Sequence, residues 1–243
     1  MSLPFFFEEN LPTRPSFALS EDTSRHITQV LRMQKSEQLQ VTNGKGQILT
    51  AEIISANKKA TEVKILSSDT RQQSTKITIA ISLVKNNTRF EWFLEKATEI
   101  GVSEIVPLIC ERTEKEHFRY DRMKGILIGA MLQSQQAWLP LLHEPVKFIE
   151  LIKKSSHQSK YIAHCTAEEK KHLSNEIYLS GKKALELCDK LILIGPEGDF
   201  AKNEIDEALK NNFIPVSLGP TRLRTETAGV VAAVLLNNSY KTI

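Results

Sequence analysis

The sequence predicts an α/β protein in two parts, a small strand-rich N-terminal portion and a larger domain built on a mostly parallel sheet. Three observations carry this. Up to about residue 70, short apolar runs are joined by turn residues, of which Asn43-Gly44-Lys45-Gly46 is the clearest. From Ile77 onward, apolar strands alternate with segments of helical spacing. Between them Ser67 to Thr75 (SSDTRQQST) is polar and lacks apolar periodicity, which reads as a linker and divides the chain into 1–72 and 73–243.

Thr23 to Met33 reads as a helix, with Ile27, Val30 and Leu31 on one face and Asp22 or Thr23 as its cap. Gln38 to Thr42, Ile48 to Ile54 and Thr61 to Leu66 follow as strands, expected to pair antiparallel in a small sheet or barrel. Ile77 to Val84 is the first strand of the larger part. Phe90, Phe93, Leu94 and Ala97 recur at helical spacing, and Gly101 falls where a C-terminal cap belongs. Glu104 to Cys110 is a strand and Met123 to Gln136 a long helix. Tyr161 to Cys165 and Leu191 to Ile194 are short strands. Ile205 to Leu209 lies in a helix, Ile214 to Leu218 is a strand, and Thr227 to Asn237 is the last helix.

Composition narrows the class. The 243 residues include 32 Lys+Arg against 29 Asp+Glu, with 41% hydrophobic and 25% charged residues, which fits a globular chain rather than a disordered one, a collagen or a coiled coil. The longest apolar stretch is the nine residues from Ala228 to Leu236, well below the roughly 20 that span a bilayer. The opening MSLPFFFEEN lacks a basic start and is cut by Glu8 and Glu9, so no signal peptide is expected. Cys110, Cys165 and Cys188 are odd in number and far apart, which suits a reducing cytoplasm and offers neither a metal spacing nor a disulfide framework. A net charge of +3 permits an RNA partner without arguing for one.

Two segments stand out, both at strand-to-helix turns: Leu193-Ile194-Gly195-Pro196-Glu197-Gly198-Asp199-Phe200, and Leu218-Gly219-Pro220-Thr221-Arg222-Leu223-Arg224-Thr225-Glu226-Thr227-Ala228. Ligands of open parallel sheets bind outside the carboxyl ends of strands, where such turns gather. Neither segment fits the dinucleotide fingerprint or the phosphate-binding loop, which argues against NAD and ATP.

These two loops resemble the signature loops of the RsmE-type 16S rRNA uridine-N3 methyltransferases of the SPOUT superfamily. Further matches lie at His26-Ile27 with Val30-Leu31-Arg32-Met33 and at Glu95-Lys96-Ala97-Thr98-Glu99-Ile100-Gly101-Val102, in the family's order over nearly the whole chain. The resemblance implies a trefoil-knotted α/β domain that cradles S-adenosylmethionine, a PUA-like N-terminal β-barrel that helps hold 16S rRNA of the small ribosomal subunit, and a homodimer packed through the knot. The chain departs from the family at Leu132-Gln133-Ser134-Gln135-Gln136, which lacks a usual Glu and Arg. It departs again at Ala201, where a capping serine is usual.

Read physically beside that resemblance, backbone groups around Ile194, Gly195, Leu218 and Leu223 suit an adenine in an apolar slot, and Gly198 and Gly219 let the backbone approach a ligand. Glu197 is a candidate for the ribose hydroxyls or a solvated turn residue. Arg224 can steady the uracil or a phosphate by a forked contact, or make a surface ion pair. Thr225 is read as a cap of the last helix or a cofactor contact. Glu226 is the nearest general-base candidate for the uracil N3 proton, or equally a carboxylate serving the helix dipole. Arg25 and Arg32, flanking the first helix, are the candidate phosphate contacts in the N-terminal part. No metal is expected to take part.

Overall fold

The computed structural model describes residues 3–73, 75–114, 116–166, 170–181 and 189–238. Cys188, among the cysteines considered above, lies outside them. The chain divides into two compact units, Met1–Gln73 with Ile128–Leu139, and Ser74–Leu127 with Pro140–Ile243.

The first unit holds β1 (Phe5–Phe7), β2 (Ser16–Ala18), α1 (Glu21–Arg25), β3 (Gln38–Thr42), β4 (Gln47–Ser55) and β5 (Glu62–Thr70). Its five-stranded sheet runs β1-β3-β4-β5-β2, antiparallel except for the parallel β1/β3 pair. Alternate residues of these strands, including Leu39, Val41, Leu49, Ala51, Ile53 and Val63, enter one apolar core with Phe6, Phe17, Ile27 and Met33. Sequence spacing misses β1 and β2, which are three residues each, too short for a period to register.

Three expectations are corrected here. Ser20, not Asp22 or Thr23, caps α1, its hydroxyl accepting from Thr23 N–H. The helix then widens into a π turn over His26–Val30, with Leu31 N–H bonded to the His26 carbonyl. The wider turn breaks the 3.6-residue face: Ile27 is buried, whereas Val30 is 67% exposed and Leu31 44%. Third, Ser67 to Thr70 is strand, not linker. Its side chains are exposed, but its backbone pairs with Gln47 to Thr50 of β4.

The segment Ile128–Leu139 belongs to this unit through the Asn43–Gly46 turn. Gly46 N–H bonds the Ala137 carbonyl at 2.9 Å and Leu139 N–H the Gly44 carbonyl at 2.9 Å. Gly46, at φ +92°, admits no side chain, since a Cβ there would lie 2.5 Å from the Trp138 ring.

The second unit contains β6 (Lys76–Ser82), α2 (Asn87–Ile100), β7 (Glu104–Ile109), the part of α3 (Tyr120–Gln133) before Ile128, β8 (Leu141–Leu142), β9 (Val146–Lys147) and α4 (Phe148–Lys154). It continues with β10 (Ser159–Ala163), β11 (Lys171–His172), α5 (Leu173–Gly181), β12 (Asp189–Ile194), α6 (Lys202–Lys210), β13 (Ile214–Ser217) and α7 (Thr225–Asn238). The strands order β11-β13-β10-β12-β6-β7-β8, with β9 also on β7, and the described pairs are parallel.

Central β6 is buried from Ile77 to Ser82, as a strand covered on both faces must be. Ala80 packs in a core with Phe148, Ile152, Phe200 and Ile205 of the α4 and α6 side, while its neighbour Ile81 meets α7. Gly101 ends α2 at φ +92°, as expected of that glycine. The long helix α3 stops at Gln133, three residues earlier than its apolar pattern suggests, with Gln135 at φ +54°.

Candidate active site

Strand β10 lies between β12 and β13, with Ala163 in register with Ile194 on one side and Val216 on the other. The chain leaves all three strands at the same edge. The loops 195–201 and 218–224 and the turn 164–166 therefore gather at the carboxyl end of the sheet, where open α/β sheets bind ligands.

Two adjoining cavities open there. The smaller, of about 310 Å³, is lined by Ile194, Gly195, Pro196, Glu197, Arg224 and Thr225, and the larger, of about 560 Å³, by His164, Ser217, Leu218, Gly219, Pro220 and Thr221. They share Ala163, Cys165, Asp199, Arg222, Leu223 and Ala228. The smaller thus gathers six of the sequence-predicted residues: Ile194, Gly195, Glu197, Leu223, Arg224 and Thr225. Leu218 and Gly219 line the larger.

Specific bonds hold the loops. The Thr225 hydroxyl donates to the Gly195 carbonyl at 3.0 Å, so the second loop is tied to the first at a buried point. That is a correction to its expected capping role. The helix instead starts from the Arg224 carbonyl, which accepts from Ala228 N–H at 2.8 Å. Asp199 N–H closes a turn onto the Pro196 carbonyl at 2.9 Å. Glu197 is exposed and accepts from Lys85 N–H at 3.1 Å. Gly195 has a packing reason as well, since a Cβ would come within 3.1 Å of the Phe200 ring.

Gly198 and Glu226 stand outside the two cavity linings. The Gly198 carbonyl accepts from Arg112 Nη1 at 2.7 Å. Glu226 is 6% exposed, in the first turn of α7, and sits 3.7 Å from Arg89 Nε. Arg25 and Arg32 belong to the first unit. Arg25 pairs with Glu21 at 2.7 Å, and Arg32 adopts φ +55°.

Ala201, without a hydroxyl, keeps half of a capping box. The Glu204 carboxylate accepts from Ala201 N–H at 2.9 Å and from Glu111 N–H at 2.9 Å. Burial, with the Glu204 charge nearby, pushes the Cys110 thiol up to about 12, which keeps it protonated and inert.

Sequence reasoning passed over Asp199 as a site residue. It sits at φ +62° and lines both cavities, while its carboxylate accepts from Cys165 N–H and Phe200 N–H, each at 2.8 Å. An Asp directly after the Pro-Glu-Gly turn is the available signal, because aspartate tolerates the left-handed region better than most residues.

Residues 71–237 match the RNA methyltransferase domain family, and residues 19–66 match the RNA methyltransferase PUA domain. The chain belongs to the RNA methyltransferase family. Its similarity to single members is full-length. It is 35% identical to a structure described as a probable rRNA-methyltransferase from Porphyromonas gingivalis, with a TM-score of 0.86 over 97% of this chain and 98% of that one. Ribosomal RNA small subunit methyltransferase E from Neisseria gonorrhoeae, solved bound to S-adenosyl methionine, is 28% identical at a TM-score of 0.84, covering 98% of both chains. The protein of the same name from Buchnera aphidicola of Acyrthosiphon pisum is 26% identical over 245 residues, 97% of this chain and 92% of its own. Within this RNA methyltransferase, the matched domain contains every residue lining the two cavities.

Proposed function

We propose that the protein transfers a methyl group from S-adenosylmethionine to N3 of a uridine in the 16S rRNA of the small ribosomal subunit. The observation that carries this reading is the pair of loops at the ends of β12 and β13, joined through Thr225 and Gly195 around adjoining cavities. Relatives of full length that bear the name ribosomal RNA small subunit methyltransferase E support the substrate.

The donor set suits the cofactor. Ile194, Leu218, Leu223 and Ala228 offer apolar walls with loop backbone beside them, Glu197 and Asp199 offer carboxylates to a cation and to hydroxyls, and Arg222 and Arg224 offer guanidinium groups to a carboxylate or an oxyanion. When bound, the cofactor supplies an electrophilic methyl group on a positively charged sulfur.

A neutral uracil imide is a poor nucleophile, so N3 gives up its proton to solvent water before it attacks. Arg224 donates to a uracil oxygen as negative charge develops there, in a cleft where a fixed charge counts for more than in water. Holding N3 in line with the methyl group provides the rest of the rate. Glu226 is assigned to the first turn of α7, where it serves the helix terminus; its burial there and its pairing with the exposed Arg89 favour this role over proton abstraction.

At the level of architecture, we assign 1–72 to a PUA-like barrel that grips rRNA phosphates through Arg25 and Arg32. Residues 73–243 form the knotted SPOUT domain, which acts as a homodimer in the cytoplasm. Among the described residues no helix is long and apolar enough to cross a membrane, and no group of three His, Cys, Asp or Glu residues gathers to hold a metal ion.

The deciding experiment incubates the protein with methyl-labelled S-adenosylmethionine and small-subunit particles, with and without a chelator, and maps the labelled nucleoside. Label at N3 of one 16S uridine, unaffected by the chelator, is expected. Label on a ribose or on tRNA alone would overturn the substrate assignment.

A further inference from the structure

We propose that Arg112, in the turn that follows β7, is a positioning residue that shapes the cofactor loop from outside the cavity. This rests on the S-adenosylmethionine reading above. Arg112 is exposed and lines neither cavity. Its Nη1 nevertheless donates to the Gly198 carbonyl at 2.7 Å and reaches the Phe200 carbonyl at 3.5 Å. Its aliphatic stem lies along the turn, with Cδ 3.5 Å from where a Cβ on Gly198 would stand.

Those two carbonyls bracket Asp199. The orientation of the Gly198 carbonyl fixes the peptide plane entering Asp199, and with it the +62° φ of that residue. A non-glycine residue keeps such a backbone only where its surroundings over-determine it. Here the carboxylate does so from the cavity side, through Cys165 N–H and Phe200 N–H, and Arg112 does so from the solvent side.

The neighbouring residue anchors the turn that carries Arg112. Glu111 N–H bonds the Glu204 carboxylate at 2.9 Å, and the Glu111 carboxylate accepts from Asn203 Nδ2 at 2.8 Å. The guanidinium is therefore presented to the loop from a base that is itself tied to the start of α6. A lysine at this position keeps the charge but not the planar fork of donors.

The test measures cofactor affinity by calorimetry on RNA-free wild type, Arg112→Ala and Arg112→Lys, alongside steady-state kinetics and thermal melting. Arg112→Ala should weaken S-adenosylmethionine binding about tenfold, the scale of one lost charge-assisted hydrogen bond. Its KM for the particles and its melting temperature should stay near the wild-type values, because Arg112 is an exposed side chain that reaches only two carbonyls of one surface loop. Arg112→Lys should recover only part of the affinity, and ethylguanidinium added to Arg112→Ala should recover more. Unchanged cofactor affinity with a raised KM for the particles would make Arg112 an RNA contact and overturn the proposal. A loss of affinity matched by a fall in melting temperature, with no recovery by ethylguanidinium, would overturn it as well. Wild-type protein with no cofactor affinity would overturn the functional reading itself.

Discussion

Arg224 sits where the second loop becomes α7. Its carbonyl starts the helix by accepting from Ala228 N–H, and the residue lines the smaller cavity with its side chain exposed. Backbone and side chain therefore have separate tasks, and truncation of the side chain leaves the helix start in place. Arg224→Ala should lower turnover by on the order of 10²-fold, the scale of one preorganised donor removed. Cofactor affinity should change far less, since the loop backbone and the Thr225–Gly195 bond remain. Steady-state turnover compared with calorimetric affinity separates the two. Equal losses in both would make Arg224 a cofactor ligand instead.

At the scale of elements, close approach decides more than propensity. Gly229 in α7 packs so tightly that a Cβ would lie 2.6 Å from the Phe93 ring of α2 and 2.8 Å from Ile81 of β6. Gly229→Ala, which raises helix propensity, should still destabilise the protein by about 1–3 kcal/mol through overpacking. A urea midpoint equal to or above that of wild type would contradict this.

The same distinction marks what the sequence discloses. The core strands and α7 are legible as apolar runs, α2 and α6 because one-sided burial imposes a helical period on them, and the cofactor loops because Gly and Pro punctuate them. The Val30 and Leu31 face misleads, because a π turn changes the period without any residue that announces it. Ser67 to Thr70 misleads because a strand held by backbone pairing need not be apolar. Arg112 leaves no trace in spacing at all, since its partner is a carbonyl distant in sequence.

At the scale of the whole molecule, the amino end of the parallel sheet carries a pH-dependent tie. Glu104 at the start of β7 lies 2.8 Å from Lys76 of β6 and 3.4 Å from His143. The His143 imidazole beside it, then the Lys76 ammonium, outweighs desolvation and holds the Glu104 carboxyl at about 2, below its ordinary 4.5. Above 4.5 the carboxyl is ionised in folded and unfolded chains alike, and its full contribution to stability is present. As pH falls from 4.5 toward 2 the unfolded chain takes up the proton first, and that contribution is lost. Glu104→Gln should therefore cost stability near neutral pH and progressively less on acidification. Urea midpoints of the two proteins that stay the same distance apart from about pH 6 to pH 3 would show that Glu104 is not the titrating group.

We predict self-assembly through the second face of α7. Gly229, Ala232, Ala233 and Leu236 are buried within the chain, where α7 packs on α2, β6 and β12. Val230, Val231 and Leu235 are only partly covered, and Val234 is 37% exposed. A helix apolar nearly all round loses free energy on whichever side it shows to water. A second copy of the same surface across a two-fold axis covers it without requiring a different partner. The protein should therefore sediment as a dimer at micromolar concentration. Val234→Glu should shift it to monomer by placing a charge in the contact, with a small change in melting temperature because the buried side of the helix is untouched. A wild type that sediments as a monomer, or a variant that remains dimeric, would remove α7 from the interface.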